Sequence, residues 1–289
     1  MSVAQRPLYL LAGPTASGKS AKALDWAERT GGVILNADSM QLYVDVPILT
    51  ARPDAAETSR APHRLYGHLD GQTLWSTGDW LRAARPHIME ALNGGPPLCI
   101  VGGTGLYFNA LVHGLAEIPD IDDAVRNEAR AAFEDMGEAR LRALLKRHDP
   151  QAEARIMAND QQRLSRAYEV WLQTGRSLTD WQTHTVPELT QNTYTLDILH
   201  PDRVWLYERC DRRLQIMLDH GAIDEVRALM TKGLTPDWPI MRVLGLMEFM
   251  AYLKAEMKLE DALALARQKT RNYAKRQSTW FRNQFKQPG

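Results

Sequence analysis

The stretch YLLAGPTASGKSAKALDWAERTG, residues 9–31, decides the fold. A short apolar run leads into a glycine-containing turn, and a helical pattern follows the turn. Residues 13–20 fit G-x-x-x-x-G-K-[ST], in which backbone amides turn toward a phosphate and the lysine neutralises it. A chance glycine turn at a helix start is the alternative, but the motif and its strand–turn–helix context agree independently. The predicted phosphate-binding residues are Gly13, Pro14, Thr15, Ala16, Ser17, Gly18, Lys19 and Ser20, and the Ser20 hydroxyl is the predicted Mg²⁺ ligand.

Three further apolar runs, residues 33–37, 96–103 and 193–199, predict more strands of the same sheet. Short apolar runs that end in small or polar residues before a helical pattern are typical of parallel strands in an α/β fold. Ligands collect at the carboxyl ends of such strands, so the polar residues that follow them are expected to meet in one cleft. Asp202 is the predicted N-cap of the next helix.

Residues 119–189 have a different texture, rich in alanine, leucine, arginine and glutamate with apolar spacings of three and four. We predict an all-helical insertion here, and an α/β core made of residues 1–118 and 190–289. The predicted fold class is therefore a P-loop parallel-sheet core interrupted by a helical insertion.

Composition limits the class of protein. The chain has 289 residues with 35 basic and 35 acidic side chains, and 24% of its residues are charged, which is ordinary for a globular protein. The two isolated cysteines favour a reducing cytoplasm. The sequence has no run of about 18 apolar residues, so no membrane span is predicted. A monomer is the expected oligomeric state. Residues 262–289 nevertheless hold seven basic residues and no acidic one, which indicates a local surface for anions.

The strand ends favour a diphosphate that leaves over a triphosphate that is cleaved. A hydrolytic P-loop enzyme needs an apolar strand ending in a magnesium-binding acid. Asp38 offers such an acid, whereas the run 96–103 ends in glycine and is followed by Thr104. Thr104, Lys19 and the loop amides are suited to stabilise the charge of a departing pyrophosphate.

Basic residues gather on two predicted helices. The helix after Asp202 carries Arg203, Arg209, Arg212 and Arg213, of which one is expected to reach the phosphates, and position alone allows Arg203. Near the C-terminus, Arg271, Lys275, Ser278, Arg282 and Lys286 form one helical stripe. It is either a solvated face or a surface that follows RNA phosphates, and the lack of acids favours RNA.

Five motifs follow one another in this order. They are GPTASGKS (13–20), ADSMQLY (37–43), VGGTGLY (101–107), NDQQRLSRAYEVWLQTG (159–175) and TRNYAKRQSTWFRNQF (270–285). Together the chain resembles the bacterial tRNA dimethylallyltransferase family over nearly its whole length. The resemblance implies a P-loop kinase-like core and a helical insertion that grips the tRNA anticodon stem-loop. It also implies Mg²⁺-assisted transfer from dimethylallyl diphosphate to the exocyclic amine of the adenosine 3′ of the anticodon.

The resemblance implies roles for particular residues. Asp38 would accept the amine proton as general base, and its alternatives are magnesium ligation or helix capping. Arg209 or Arg213 would join Thr104 as catalytic residues at the diphosphate. The implied tRNA contacts are Asp38, Ser39, Met40, Gln41, Gln162, Arg163, Leu164, Ser165, Arg166, Arg271, Lys275, Arg276 and Arg282. Without the resemblance, the polar patch at 162–166 reads as a solvated helix face.

Two segments depart from the family pattern, since Leu49 replaces a usual glycine and residues 242–249 lack a usual tyrosine and lysine. Two other functions share some of the same features. A nucleoside or small-molecule kinase would use the same P-loop and Mg²⁺, and a non-catalytic RNA-binding protein would need only the basic surface.

Overall fold

The computed structural model describes residues 7–285. It divides into two compact units, one built from the chain up to residue 112 together with residues from 189 onward, the other from residues 113–188. The insertion was expected to begin at residue 119 and end at 189. Within residues 7–285, no helix combines the length and apolar character that a membrane span requires.

The larger unit is organised around a parallel sheet of five strands in the order β3-β2-β4-β1-β5. The strands are β1 (Leu8–Ala12), β2 (Val33–Asn36), β3 (His63–Arg64), β4 (Leu98–Gly102) and β5 (Tyr194–Ile198). Strands β1, β2 and β4 are buried along almost their whole length, as continuous apolar runs in parallel sheets are. The α/β fold and its four predicted strands are confirmed, whereas the two-residue edge strand β3 was not predicted.

Helices surround this sheet and make up the smaller unit. They are α1 (Lys19–Thr30), α2 (Ala55–Arg60), α3 (Thr77–Leu92), α4 (Gly105–His113), α5 (Asp123–His148), α6 (Pro150–Arg155), α7 (Gln161–Thr174), α8 (Leu178–Thr183), α9 (Arg203–Asp219), α10 (Ala222–Met230), α11 (Leu246–Leu253) and α12 (Leu259–Gln284). Two short 3₁₀ helices span Ser39–Leu42 and Pro239–Arg242.

Helix starts follow from local capping. Asp202 accepts hydrogen bonds from the backbone N–H groups of Val204 and Trp205, so the predicted N-cap of α9 is confirmed. Ser76 and Asp79 form a reciprocal capping box at the start of α3. These caps satisfy amide groups that the helices themselves leave unpaired.

The smaller unit has a core of its own. Leu141, Leu145, Leu164 and Ala167 are fully buried in it, because α5 and α7 face each other through apolar residues at helical spacing. Asp149 is buried and receives the N–H groups of Ala152 and Thr179, which joins the starts of α6 and α8.

Candidate active site

Three loops meet at the carboxyl edge of the sheet, as predicted. β4 lies between β1 and β2, so the loops after these three strands are neighbours. Ala37 donates its N–H to Val101 at 2.8 Å, and Thr104 donates its N–H to Ala37 at 3.1 Å. These backbone bonds hold the turn at residue 38 against the turn at residue 104.

The P-loop has the conformation that its sequence predicts. Gly18 has a φ of 89°, in the left-handed region that glycine tolerates, and α1 begins at the next residue. The Ser17 hydroxyl is buried and finds no protein partner among residues 7–285. The Ser20 side chain, by contrast, lies on the exposed first turn of α1.

Lys19 is a buried cation. It is 9% exposed, and its ammonium donates to the carbonyl of Pro14 at 2.9 Å. Burial lowers the pKa of Lys19 from 10.5 to about 8, the Asp38 carboxylate opposes this change, and Arg213 adds to it. Lys19 therefore loses its proton at a lower pH than an exposed lysine, and the nearby Asp38 carboxylate stabilises its charged form.

Two arginines of α9 contact the P-loop. Arg213 donates to the hydroxyl of Thr15 at 2.6 Å, and Arg209 donates to the carbonyl of Ala16 at 3.0 Å. Burial lowers the pKa of Arg213, and its Nε atom has no partner in the described part of the chain. Arg203 was allowed as a phosphate contact by its position at the helix start, but it donates to the hydroxyl of Tyr207 instead.

Asp38 lies in a tightly fixed turn. Its Oδ1 accepts the N–H of Met40 at 3.0 Å, so it caps the 3₁₀ helix, as one of the alternatives proposed. The fully buried Asn36 accepts the N–H of Asp38 and donates to the carbonyls of Asp38 and Leu65. Ser39 donates its N–H to the Thr104 hydroxyl at 2.9 Å. The two predicted catalytic residues, Asp38 and Thr104, therefore lie on two turns that hydrogen bonds join.

The glycines of VGGTG approach the protein's own chain. A Cβ on Gly102 would lie 2.0 Å from the carbonyl oxygen of Ala37, and one on Gly103 would lie 2.3 Å from Nε2 of Gln277. Gly102 therefore admits the Asp38 turn, and Gly103 admits a side chain from α12.

The residues after Asp38 contact the atypical segment around Leu49. Gln41 donates to the carbonyls of Thr50 and Ala51, both at 2.9 Å, so its amide hydrogens are engaged within the protein. The Glu225 carboxylate receives the N–H groups of Ile48 and Leu49. Leu49 is 5% exposed and packs near Gly245, so the two departures from the family pattern lie side by side.

Aromatic rings also lie close to the Asp38 turn. Tyr107 stacks on Trp80 with ring centroids 4.3 Å apart, and Trp80 donates its indole N–H to the carbonyl of Asn36. Burial raises the pKa of Tyr107 and of Tyr273, and Asp38 raises both further. Asp38 therefore interacts electrostatically both with the cations Lys19 and Arg213 and with these two phenol rings.

Only some of the predicted basic residues on α12 are exposed to solvent. Lys275, Arg276 and Arg282 are exposed. Arg271 is half-buried and pairs with Asp211 at 2.7 Å, because that carboxylate on α9 faces it. Lys286 lies outside the described residues.

The predicted patch on α7 is divided by burial. Gln162 and Arg163 are exposed, and Gln162 and Ser165 line an open cavity of about 630 Å³ within the smaller unit. Arg166 pairs with Glu169. Leu164 is fully buried in the core of this unit, and its prediction as an RNA contact is wrong because no part of it reaches the surface.

No group of three or more histidine, cysteine or acidic side chains able to hold a metal occurs among residues 7–285. Both cysteines, Cys99 and Cys210, are free and buried. A divalent ion here would take oxygen ligands from Ser20 and from a bound substrate, which is the usual manner of Mg²⁺ at phosphate sites.

Sequence reasoning missed two residues of this site. Asn36 interrupts the apolar run of β2 with an amide, and Gln277 interrupts the buried face of α12 formed by Thr270, Ala274 and Phe281. The signal in both cases was an amide side chain at a position whose spacing predicts burial.

The sheet order, the P-loop and the cations around it define a P-loop α/β protein whose site takes a phosphate-bearing substrate. The chain matches the IPP transferase family over residues 41–284 and the isopentenyl transferase family over residues 6–75. It therefore belongs to the tRNA dimethylallyltransferase family, as the resemblance implied.

Individual relatives agree with this assignment. The chain is 50% identical to the tRNA dimethylallyltransferase of Caulobacter sp. strain K31 over 96% of its own length and 90% of the relative. It is 51% identical to that of Phenylobacterium zucineum with the same coverage. It resembles the crystal structure of the tRNA isopentenylpyrophosphate transferase of Bacillus halodurans, with 34% identity, a TM-score of 0.68 and coverage of 96% and 88% of the two chains. A eukaryotic dimethylallyltransferase acting on tRNA gives a TM-score of 0.83 at 26% identity, covering 95% and 69%.

Proposed function

We propose that this chain transfers the dimethylallyl group of dimethylallyl diphosphate to the exocyclic amine of the adenosine 3′-adjacent to the anticodon in tRNA, and releases pyrophosphate. Family membership supports the reaction class. The observation that carries the proposal is the meeting, at one sheet edge, of a phosphate-binding loop with the Asp38 carboxylate. The P-loop would then bind the diphosphate donor, and the adjacent turn would place Asp38 beside the acceptor amine.

Asp38 is the proposed general base. The adenine amine is a poor nucleophile because its lone pair is delocalised into the ring. As its nitrogen bonds to C1 of the dimethylallyl group, the C1–O bond breaks and its electron pair leaves on the diphosphate oxygen. The amine proton passes to Asp38, whose Oδ1 is held by the Met40 amide and whose Oδ2 lies toward Gly103.

Lys19, Arg209 and Arg213 are the proposed partners of the leaving diphosphate. All three donate to atoms of the P-loop itself, so the positive charge is in position before the C1–O bond breaks. A bound Mg²⁺ would help to neutralise the diphosphate. The exposed Ser20 hydroxyl on the first turn of α1 is its proposed protein ligand.

Each of the two units carries exposed polar residues that are proposed tRNA contacts. Lys275, Arg276 and Arg282 on α12 are exposed and are proposed to contact phosphates, and Gln162 and Arg163 on α7 are proposed as contacts of the smaller unit. The target adenosine must leave its stack to reach the sheet edge, so base flipping accompanies the reaction. The free cysteines are consistent with a cytoplasmic protein, and a monomer is the proposed working state.

Mass spectrometry of tRNA after incubation with dimethylallyl diphosphate and Mg²⁺ tests this function. An isoprenoid mass on the adenosine next to the anticodon, with pyrophosphate released in the absence of ATP, is expected. The Asp38→Ala variant should bind the same tRNA without modifying it. Production of ADP and a phosphorylated acceptor from ATP, with no modified tRNA, would instead identify a kinase.

A further inference from the structure

One buried amide on α12 joins two loops of the candidate active site. Gln277 is 6% exposed. Its Oε1 accepts the backbone N–H of Thr15, and its Nε2 donates to the carbonyl of Gly103, both at 2.8 Å. Thr15 belongs to the P-loop, and Gly103 precedes Thr104. The amide therefore spans the gap between the phosphate-binding loop and the turn that holds Asp38.

The bond to Thr15 also orients Lys19. In a trans peptide the carbonyl and the following N–H point in opposite directions. Because the Thr15 N–H faces Gln277, the carbonyl of Pro14 faces away from it, and that carbonyl receives the Lys19 ammonium at 2.9 Å. Gln277 thus fixes the direction of the acceptor that holds the buried cation.

The bond to Gly103 acts on the second loop in the same way. The carbonyl of Gly103 faces Gln277, so the N–H of Thr104 faces the opposite side and donates to Ala37 at 3.1 Å. The Thr104 hydroxyl then receives the Ser39 N–H. Gln277 therefore sets the peptide that places Thr104 beside the Asp38 turn.

We propose that Gln277 is a positioning residue for the transfer reaction, which keeps the Lys19 ammonium and the Thr104 hydroxyl in register with each other. This inference rests on the proposed function. Gln277 touches neither substrate in it and acts through the 14–15 and 103–104 peptides. The same helix exposes Lys275 and Arg276, so one rigid element links the proposed RNA surface to the diphosphate loop.

Gln277→Met tests the proposal, because methionine keeps the length of the side chain and removes both amide functions. Leaving the Thr15 and Gly103 groups unpaired should raise the Kd for inorganic pyrophosphate with Mg²⁺ by about tenfold or more, measured by calorimetry. The kcat for tRNA modification should fall by a similar factor, while the Kd for tRNA stays within about twofold.

Thr270→Val is the matched control. Thr270 lies on the same buried face of α12, and among residues 7–285 its hydroxyl bonds only within the helix, to the carbonyl of Ala266. Its pyrophosphate Kd and kcat should stay within about twofold of the wild type. A Gln277→Met protein that behaves like this control, or that loses tRNA affinity as strongly as pyrophosphate affinity, would overturn the proposal.

Gly103→Ala gives a second, independent test, since its Cβ would lie 2.3 Å from Nε2 of Gln277 and must displace the amide. It should weaken pyrophosphate binding in the wild type but change it by less than about twofold in a Gln277→Ala background. Equal effects in both backgrounds would refute the role of Gln277. Because these constants report binding, a wild type that binds pyrophosphate but modifies no tRNA would refute the proposed function alone.

Discussion

Replacing Lys19 with methionine tests whether the P-loop holds a charge at the expense of stability. The pKa of Lys19 falls from 10.5 to about 8 in the folded protein because the ammonium is buried. The folded chain therefore binds fewer protons than the unfolded chain between these values, and the free energy of unfolding rises with pH through that window. The full shift corresponds to about 3 kcal/mol of destabilisation, present below the lower pKa.

The expected signal is a change in the difference between the two proteins. The free energy of unfolding of Lys19→Met should exceed that of the wild type by the largest amount near neutral pH. This excess should shrink by about 2 kcal/mol between about pH 7 and about pH 9.5. Losing the hydrogen bond to Pro14 costs the variant about 1 kcal/mol, a cost that changes little over this range.

Urea unfolding at both pH values measures this difference. Lys22→Met is the matched control, because Lys22 lies one turn further along α1 with about half of its side chain exposed. A difference between Lys19→Met and the wild type that is the same at both pH values would refute the buried-charge reasoning. Lys19→Met should also lose pyrophosphate binding, which links the stability cost of the buried lysine to the proposed function.

Four other outcomes are expected. Asp38→Asn should lower turnover by about 10²–10⁴ while the tRNA Kd changes little, and parallel losses in single-turnover rate and binding would contradict its role as base. Asn36→Leu should lower the free energy of unfolding in urea by about 3 kcal/mol, since the three hydrogen bonds of a buried amide are lost, and a neutral effect would contradict the packing of the turn. Lys275→Gln should reduce the slope of log Kd against log salt by about one, whereas Lys258→Gln at the acidic start of α12 should leave it unchanged. Ser20→Ala should raise the Mg²⁺ concentration needed for half-maximal turnover, and an unaltered Mg²⁺ titration would remove Ser20 from the metal site.

Strands β1, β2 and β4 could be predicted because they are short apolar runs that end at motifs. The edge strand β3 was missed because its two residues, His63 and Arg64, are too few to show the alternation of a strand. The meeting of the P-loop, Asp38 and Thr104 followed from a rule of parallel sheets, since β4 separates β1 from β2.

The choice among arginines could not be made from sequence. Arg209 and Arg213 lie one helical turn apart, and both contact the P-loop, so the decision depends on where α9 lies rather than on its pattern. Leu164 was grouped with its polar neighbours because a motif is contiguous in sequence, whereas burial follows helical spacing. Gln41 was expected to contact tRNA, and only the fold reveals that its amide hydrogens are donated to the carbonyls of Thr50 and Ala51.

The bond between Thr15 and Gln277 joins residues 262 positions apart. During translation at about 5–20 residues per second, the N-terminal loop waits roughly 10–50 s before its partner has been synthesised. A nascent chain thus carries its phosphate-binding loop for most of its synthesis without the amide that sets the Pro14–Thr15 peptide. A product that terminates between residues 199 and 276 would contain all five strands of the sheet and would lack this bond.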